Sequence, residues 1–294
     1  NGQLYSLDAT TGANNYFAQI LTSNLLKGSI TGAISTDGAQ LFVANAANIT
    51  NATTGIGGVR SISPGGSFTQ NWVFESPNIP TLHEAYASAP AFRCTNLFIH
   101  ATFSNTIPAA SGFSGYRQNL NPTTGVPNWA QYFLIGQNAF GGNTAVDGSR
   151  AYFASLNNGF SGPAGSRGVR AVNFANSTIW SRGGTTGAYD ENVFQSVAVT
   201  CDPYVVYGTY DLLNTDAHWR IVDGNTGVAL VDYYLTAGMP NGTAIAKGSD
   251  NVTYLVFSTR FTNHSAGPGG LFAFKNGGPR PRMAIPELLV AFPG

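Results

Sequence analysis

Charged residues make up only 10% of this 294-residue chain, against about 25% in an ordinary soluble domain. Clusters of them therefore stand out. His83, Glu84 and Tyr86 form one; Asp190, Glu191 and Asn192 form another. Each cluster precedes a short segment that reads as a strand. Carboxylates beside a histidine can hold a hard cation, and calcium is the one suited to oxygen ligands. A pair of carboxylates can also run acid–base chemistry on a glycosidic bond. The same side chains serve equally as a solvated loop, or as hydrogen-bond ties between neighbouring sheets. Nothing in the sequence fixes the separation of the two clusters. His83, Glu84, Asp190 and Glu191 are thus candidate site residues to which no catalytic role is assigned, and no cofactor is expected apart from a calcium ion at such a cluster.

Other residue types recur at matching places. Arg60, Arg117, Arg170 and Arg220 each follow a Gly-rich or polar loop. A ring of guanidinium groups could hold an anion or an acidic polysaccharide. Arg117 falls one residue out of phase with the other three when counted from the following turn, and Phe272 and Tyr5 occupy the matching slot elsewhere. A slot that takes Arg, Phe and Tyr reads as packing. Trp72, Trp129 and Trp180 could stack on sugars, but their equivalent positions read as packing between sheets. His100, His218 and His264 have no metal-ligand spacing. Asp216-Ala217-His218 is expected in a loop, without the sharp-turn pattern of a nucleophilic serine.

Cys94 and Cys201 both fall in the turn between the first and second strands of a repeat, where Asp37 and Asp147 sit elsewhere. Equivalent turns two repeats apart exceed the ~7 Å Cα limit for a disulfide, so an internal bridge is not favoured, although a bridge is the usual arrangement for two cysteines in a secreted protein. Six Asn-X-Ser/Thr sequons occur, at Asn48, Asn51, Asn176, Asn241, Asn251 and Asn263. All fall in or beside expected loops, where a glycan is tolerated. They make secretion and N-glycosylation the expectation. No leader is visible, and the chain opens at the edge of a strand, as a processed terminus would.

The elements that position these residues repeat along the chain. Leu4-Tyr5-Ser6-Leu7-Asp8-Ala9-Thr10-Thr11-Gly12 is followed by Tyr16. Leu120-Asn121-Pro122-Thr123-Thr124-Gly125 is followed by Trp129, and Arg220-Ile221-Val222-Asp223-Gly224-Asn225-Thr226-Gly227 repeats the phrase. Each is an alternating strand, a tight Asx–Thr–Gly turn and a second strand. Upstream lie hairpins such as Gly32 to Val43 and Thr144 to Phe153, turning at Asp-Gly. Four strands every ~45–60 residues fit the blades of a propeller.

The Asp-Ala-Thr-Thr-Gly turn with its following aromatic resembles the repeat of quinoprotein-type (pyrroloquinoline-quinone-like) β-propellers. The resemblance runs through most of the chain and is weaker around Ser63-Pro64-Gly65 and Phe174-Ala175-Asn176. That family implies eight blades, a calcium-held quinone and commonly an adjacent Cys-Cys pair. This chain is too short for eight and has no such pair, so the resemblance speaks for fold rather than redox chemistry.

The expectation is an all-β chain, a six-bladed β-propeller of four-stranded blades over residues 1–294. The terminal blade would join about 1–20 to about 280–294, with Met283 to Phe292 supplying its inner pair. The alternative is that this tail reaches into a neighbouring molecule. Zero net charge and three lysines leave no electrostatic footprint for nucleic acid, and no apolar run approaches the ~20 residues of a membrane span. The function expected is a non-catalytic extracellular module, structural or adhesive, self-associating through its side wall or its tail. An enzyme at the channel mouth, carbohydrate-active or quinoprotein-like, and a glycan-binding lectin-like propeller are the alternatives.

Overall fold

The computed structural model describes residues 3–19, 30–34, 38–45, 58–63, 68–75, 82–87, 90–105, 112–133, 139–157, 168–182, 192–200, 204–211, 216–235, 239–247, 253–260, 270–275 and 287–293. Among them there are strands and turns and no helix. The chain divides into two compact units, Asn1–Asn143 and Thr144–Gly294.

The first unit opens with β1 (Gln3–Leu7) and β2 (Asn14–Gln19), an antiparallel pair that forms a sheet of two strands only. Next comes a four-stranded sheet, β3 (Ile30–Ile34), β4 (Leu41–Asn45), β5 (Gly58–Ser63) and β6 (Thr69–Glu75), with neighbours in chain order. In the third sheet the innermost position is shared. Both β7 (Leu82–Ala87) and the short β8 (Ala91–Arg93) pair with β9 (Asn96–Asn105), followed by β10 (Gly112–Leu120) and β11 (Pro127–Phe133).

The second unit holds three four-stranded sheets, again in chain order. They are β12 (Ala139–Val146, which begins just before the boundary) to β15, β16 to β19, and β20 to β23. The ranges are β13 (Arg150–Asn157), β14 (Gly168–Asn173), β15 (Thr178–Arg182); β16 (Asn192–Val199), β17 (Tyr204–Asp211), β18 (Asp216–Asp223), β19 (Ala229–Leu235); and β20 (Met239–Lys247), β21 (Thr253–Arg260), β22 (Gly270–Lys275), β23 (Glu287–Pro293).

The second strand of a sheet is buried on both faces, and its sequence is accordingly an unbroken apolar run rather than an alternating one. Phe42-Val43-Ala44, Leu97-Phe98-Ile99, Ala151-Tyr152-Phe153-Ala154 and Val205-Val206-Tyr207 are all at most 2% exposed. Side chains of adjacent sheets meet between them. In the first unit Phe42, Ala44 and Val59 pack with Leu97, Ile99 and Leu120. In the second, Tyr152, Ala154, Val169 and Trp180 pack with Val205, Tyr207 and Val222, and Trp219 and Ile221 pack with Leu255. Each Val, Leu, Ile or Phe among them contributes about 1.5–3 kcal/mol on burial.

The C-terminal segment departs from expectation. Residues 283–286 of the expected pair lie outside the described residues, and Glu287–Pro293 is one strand. It lies antiparallel to β22, with Leu271↔Phe292 and Ala273↔Val290 in register, as the fourth strand of its own sheet. The physical reason is local: without it, β22 would leave a row of backbone donors and acceptors unpaired. Glu287–Pro293 therefore pairs with β22 and not with β1, and β1 pairs with β2 alone among the described residues.

Candidate functional site

The first candidate cluster lies inside a strand rather than ahead of one. His83, Glu84 and Tyr86 belong to β7, whose register on β9 runs Leu82↔Asn105, Glu84↔Ser104 and Tyr86↔Thr102, with an irregularity at His83. A bulge there re-aims the strand locally. The polar sequence Leu82-His83-Glu84 hid it, because it shows no apolar run. Asn192 likewise begins β16 and pairs with Tyr210. Asp190 and Glu191 lie outside the described residues, as does His264. Among the described residues no group of three His, Cys, Asp or Glu could hold a metal ion.

The structure assembles a different polar cluster in the second unit. Asp216-Ala217-His218 opens β18 instead of forming a loop. Register sets Arg220 opposite Asp232 and His218 opposite Tyr234, so Asp232 sits beside both side chains. His218 Nδ1 is 3.2 Å from Asp232 Oδ1. For that hydrogen bond Nδ1 must carry the proton. Arg220 Nη2 lies 3.3 Å from Asp232 Oδ2. Partial burial pushes the Asp232 carboxyl up, but the hydrogen bond from His218 and the Arg220 charge outweigh it, and the net direction is below the ordinary value. Burial pushes the nearby Tyr207 hydroxyl up to about 12, against the opposing pull of the Arg182 guanidinium. Sequence reasoning passed over Asp232. The signal was available, because counting back across the Asp223–Gly227 turn pairs it with Arg220.

The third-strand arginines follow the phase counted from the turns. Arg60 faces Val73, Arg170 faces Ser181 and Arg220 faces Asp232, each one residue before the pair that precedes the bulge. Arg117 is one residue further out, opposite Gln131, whose side-chain oxygen accepts from its Nε at 3.2 Å. Arg117 and Arg220 are buried, and both bind a side chain of the adjacent strand within their own sheet.

The tryptophans and the Asx–Thr–Gly turns work as pairs. Asp223 Oδ1 accepts the backbone N–H groups of Asn225 and Thr226, both at 2.9 Å, and the Thr226 hydroxyl at 3.1 Å. Gly227 then takes φ +72°, which a residue without Cβ adopts freely. Trp180 of the preceding sheet lies on that glycine, and its Nε1–H donates to the Gly224 carbonyl at 2.8 Å. Arg182 donates to the Gly227 carbonyl at 2.9 Å. In the first unit Trp72 covers Gly125 (φ +72°) and donates to the Pro122 carbonyl at 2.8 Å. Trp129 packs against Phe98 within its own sheet, ring centroids 6.2 Å apart.

Cys94 is a free, exposed thiol at φ 54° in the turn between β8 and β9. Cys201 lies outside the described residues. Of the sequon asparagines, Asn176 sits in the β14–β15 turn at φ 70°, taking the left-handed position that glycine holds in the other turns. Asn241 lies within β20, at the irregularity between Pro240 and Gly242, and not in a loop. Asn48, Asn51, Asn251 and Asn263 lie outside the described residues.

No protein-family model matches the chain, and no curated protein matches it. Solved structures do match. A europium-containing methanol dehydrogenase aligns with TM-score 0.59 at 10% identity, over 92% of this chain and 65% of that one. The Dos1 propeller aligns at 0.55 and 12%, over 97% and 61%. Kuenenia stuttgartiensis hydrazine synthase aligns at 0.54 and 10%, over 87% and 65%. The chain thus spans under two thirds of the length of each. At such identities the likeness speaks for the fold alone, that of a β-propeller. The resemblance to the quinoprotein-type repeat holds at that level.

Proposed function

We propose that this chain is a secreted, N-glycosylated β-propeller module that acts structurally or adhesively, without catalysis, by associating with copies of itself into a layer or filament. Four four-stranded sheets, the sheet of β7 to β11 with its shared innermost position, and the β1–β2 pair would make six blades in this reading. The observation that carries it is the β1–β2 pair. It is the one two-stranded sheet among the described residues, and it leaves Leu7 56% and Phe17 61% exposed. Apolar strand surface of this kind is what association covers. Supporting it, four carboxylates are occupied within their own sheets: Asp8, Asp147 and Asp223 cap turns, and Asp232 holds His218 and Arg220. Zero net charge adds no repulsion between copies.

Intact mass of native material before and after enzymatic removal of N-linked glycans, combined with light scattering across a concentration series, tests the proposal. The expected result is a mass loss on deglycosylation and a molar mass that rises with concentration. An unmodified chain that stays monomeric throughout would overturn it.

A further inference from the structure

Two of the six sequons fall on described residues, and the fold places them differently. Asn176-Ser177-Thr178 runs through the β14–β15 turn, whereas Asn241-Gly242-Thr243 runs along β20. Asn173 opens the β14–β15 turn. Its N–H donates to the Ser177 carbonyl at 3.0 Å, and its carbonyl accepts from the Asn176 N–H at 2.9 Å. Its side-chain Oδ1 accepts from the Ser177 N–H at 2.8 Å. These three bonds use the side chain of Asn173 but only the backbone of Asn176. Adding a group to the Asn176 side chain leaves all three in place.

Asn176 stands at φ 70°, in a region that Asn tolerates better than most residues with a Cβ. The turns that begin at Asn121 and Asp223 have glycine there, Gly125 and Gly227, both at φ +72°. A Cβ on either would meet a tryptophan, Trp72 at 2.6 Å or Trp180 at 2.8 Å. Those turns lie under a ring and have no room for a sugar. Asn176 already carries a Cβ, so no ring fills that place. Ala175, Ser177 and Thr178 beside it are exposed and Asn176 is half-buried. Thr178, the hydroxyl residue of the sequon, begins β15 opposite Val172. A surface turn with this spacing is what an N-linked glycan needs. The sugar replaces one of the two Nδ2 hydrogens and leaves the other, with Oδ1, to bond as before. Asn241 is set otherwise. It lies at the irregularity of β20 between Pro240, which pairs with Thr259, and Gly242, which pairs with Ser258. β20 is the first strand of its sheet and packs beside β16 and β17. A glycan there would have to leave from a strand held by β21 and by the neighbouring sheet.

Resting on the secreted, glycosylated reading proposed above, we infer that Asn176 is a glycosylated position of this chain and that Asn241 is not. The glycan leaves from the β14–β15 turn, at the outer corner of its sheet. It covers the start of β15, where Ile179 is 43% exposed, and it closes that corner to the docking of a second copy.

Site mapping of the native full-length chain tests this. N-glycans are released enzymatically in heavy-oxygen water, which converts each glycosylated Asn to a labelled Asp. The label separates this conversion from the spontaneous deamidation to which Asn241-Gly242 is prone. Peptides spanning the two sequons are then read by mass spectrometry. The expected result is labelled Asp at 176 and unlabelled residue at 241. In secreted recombinant protein, Asn176→Gly supplies the residue that the other turns use, so the turn is kept, and the intact mass falls by one glycan. Thr178→Ala loses the same glycan with Asn176 in place, and Asn241→Gln loses none. An unlabelled Asn176, a labelled Asn241, or a glycan retained in full by Asn176→Gly overturns the inference. If other sequons are labelled in that case, only this assignment falls. If none is, the glycosylated reading falls with it.

Discussion

Two turns of this molecule are nearly the same object in different surroundings. In Asp8–Gly12, the Asp8 carboxylate accepts from the Thr10 and Thr11 backbone N–H groups at 2.9 and 2.7 Å and from the Thr11 hydroxyl at 2.9 Å. In Asp223–Gly227 the same three bonds measure 2.9, 2.9 and 3.1 Å. The glycines have φ +70° and +72°, and their N–H groups return to the aspartate carbonyls at 2.9 and 2.7 Å. Yet a Cβ on Gly227 would meet the Trp180 ring at 2.8 Å, whereas a Cβ on Gly12 would meet nothing within 4 Å. The turn is therefore made by its own residues, through side-chain capping of the backbone. Docking of a tryptophan is a separate, tertiary event that needs a neighbouring sheet. The pair β1–β2 has the local half of the blade design and lacks the tertiary half.

The comparison is broken most severely by removing the docked ring. Trp180→Ala deletes a side chain that is 8% exposed and its bond to the Gly224 carbonyl. The expected loss is about 3–5 kcal/mol by denaturant unfolding. A loss within ~0.5 kcal/mol would mean the turn does not depend on its neighbour. Next in size is the contrast between the glycines. Gly227→Ala forces a methyl group into Trp180 at a left-handed residue, costing roughly 2–4 kcal/mol. Gly12→Ala meets only the backbone strain, about 1–2 kcal/mol. Equal effects would contradict the difference in surroundings.

Acid sharpens the comparison more gently. Backbone and hydroxyl hydrogen bonds from Thr11, and the backbone of Thr10, hold the Asp8 carboxyl below its ordinary value of 3.8. Asp232 is also held low by His218 and Arg220, against its own burial. A carboxylate whose folded pKa is depressed contributes its stability in full above the unfolded value and loses it as pH falls through the folded one. Stability should therefore decline below about pH 4. Asp232→Asn should flatten that decline and lower stability at neutral pH, because Arg220 loses its counter-charge. Asp8→Asn should flatten it with the smallest neutral-pH cost of the series, since Asn121 caps its turn in the same way, accepting from Thr123 and Thr124 at 2.9 and 3.2 Å. Urea titrations between pH 2.5 and 7 read all of this, and an unchanged acid limb in Asp232→Asn would contradict it.

These outcomes reflect what the sequence could carry. Turn chemistry is local, so the Asx–Thr–Gly phrases mark the third and fourth strands correctly, and counting from them puts Arg117 out of phase, as the register does. The β14–β15 turn was harder to read. Asn176 replaces the glycine there and the loop is one residue shorter, closing from Asn176 N–H to the Asn173 carbonyl at 2.9 Å. Partner choice is not local. Leu288 to Phe292 reads as an inner strand from its unbroken apolar run, and the fold uses it on the outside because an edge at β22 needed covering. The pairing of His218 with Asp232 lies across a hairpin, so adjacency in sequence pointed to Asp216 instead. His83 and Glu84 read as loop because a polar stretch at a bulge lacks the apolar rhythm of a strand.

Amide hydrogen exchange resolved by strand, comparing Gln3–Leu7 with Asp216–Asp223 in dilute and in concentrated solution, bears most directly on the open half-sheet. The account predicts fast exchange in the first segment when dilute and protection when concentrated, with the second slow in both. Slow exchange of Gln3–Leu7 at every concentration would mean its edge is already covered within one molecule.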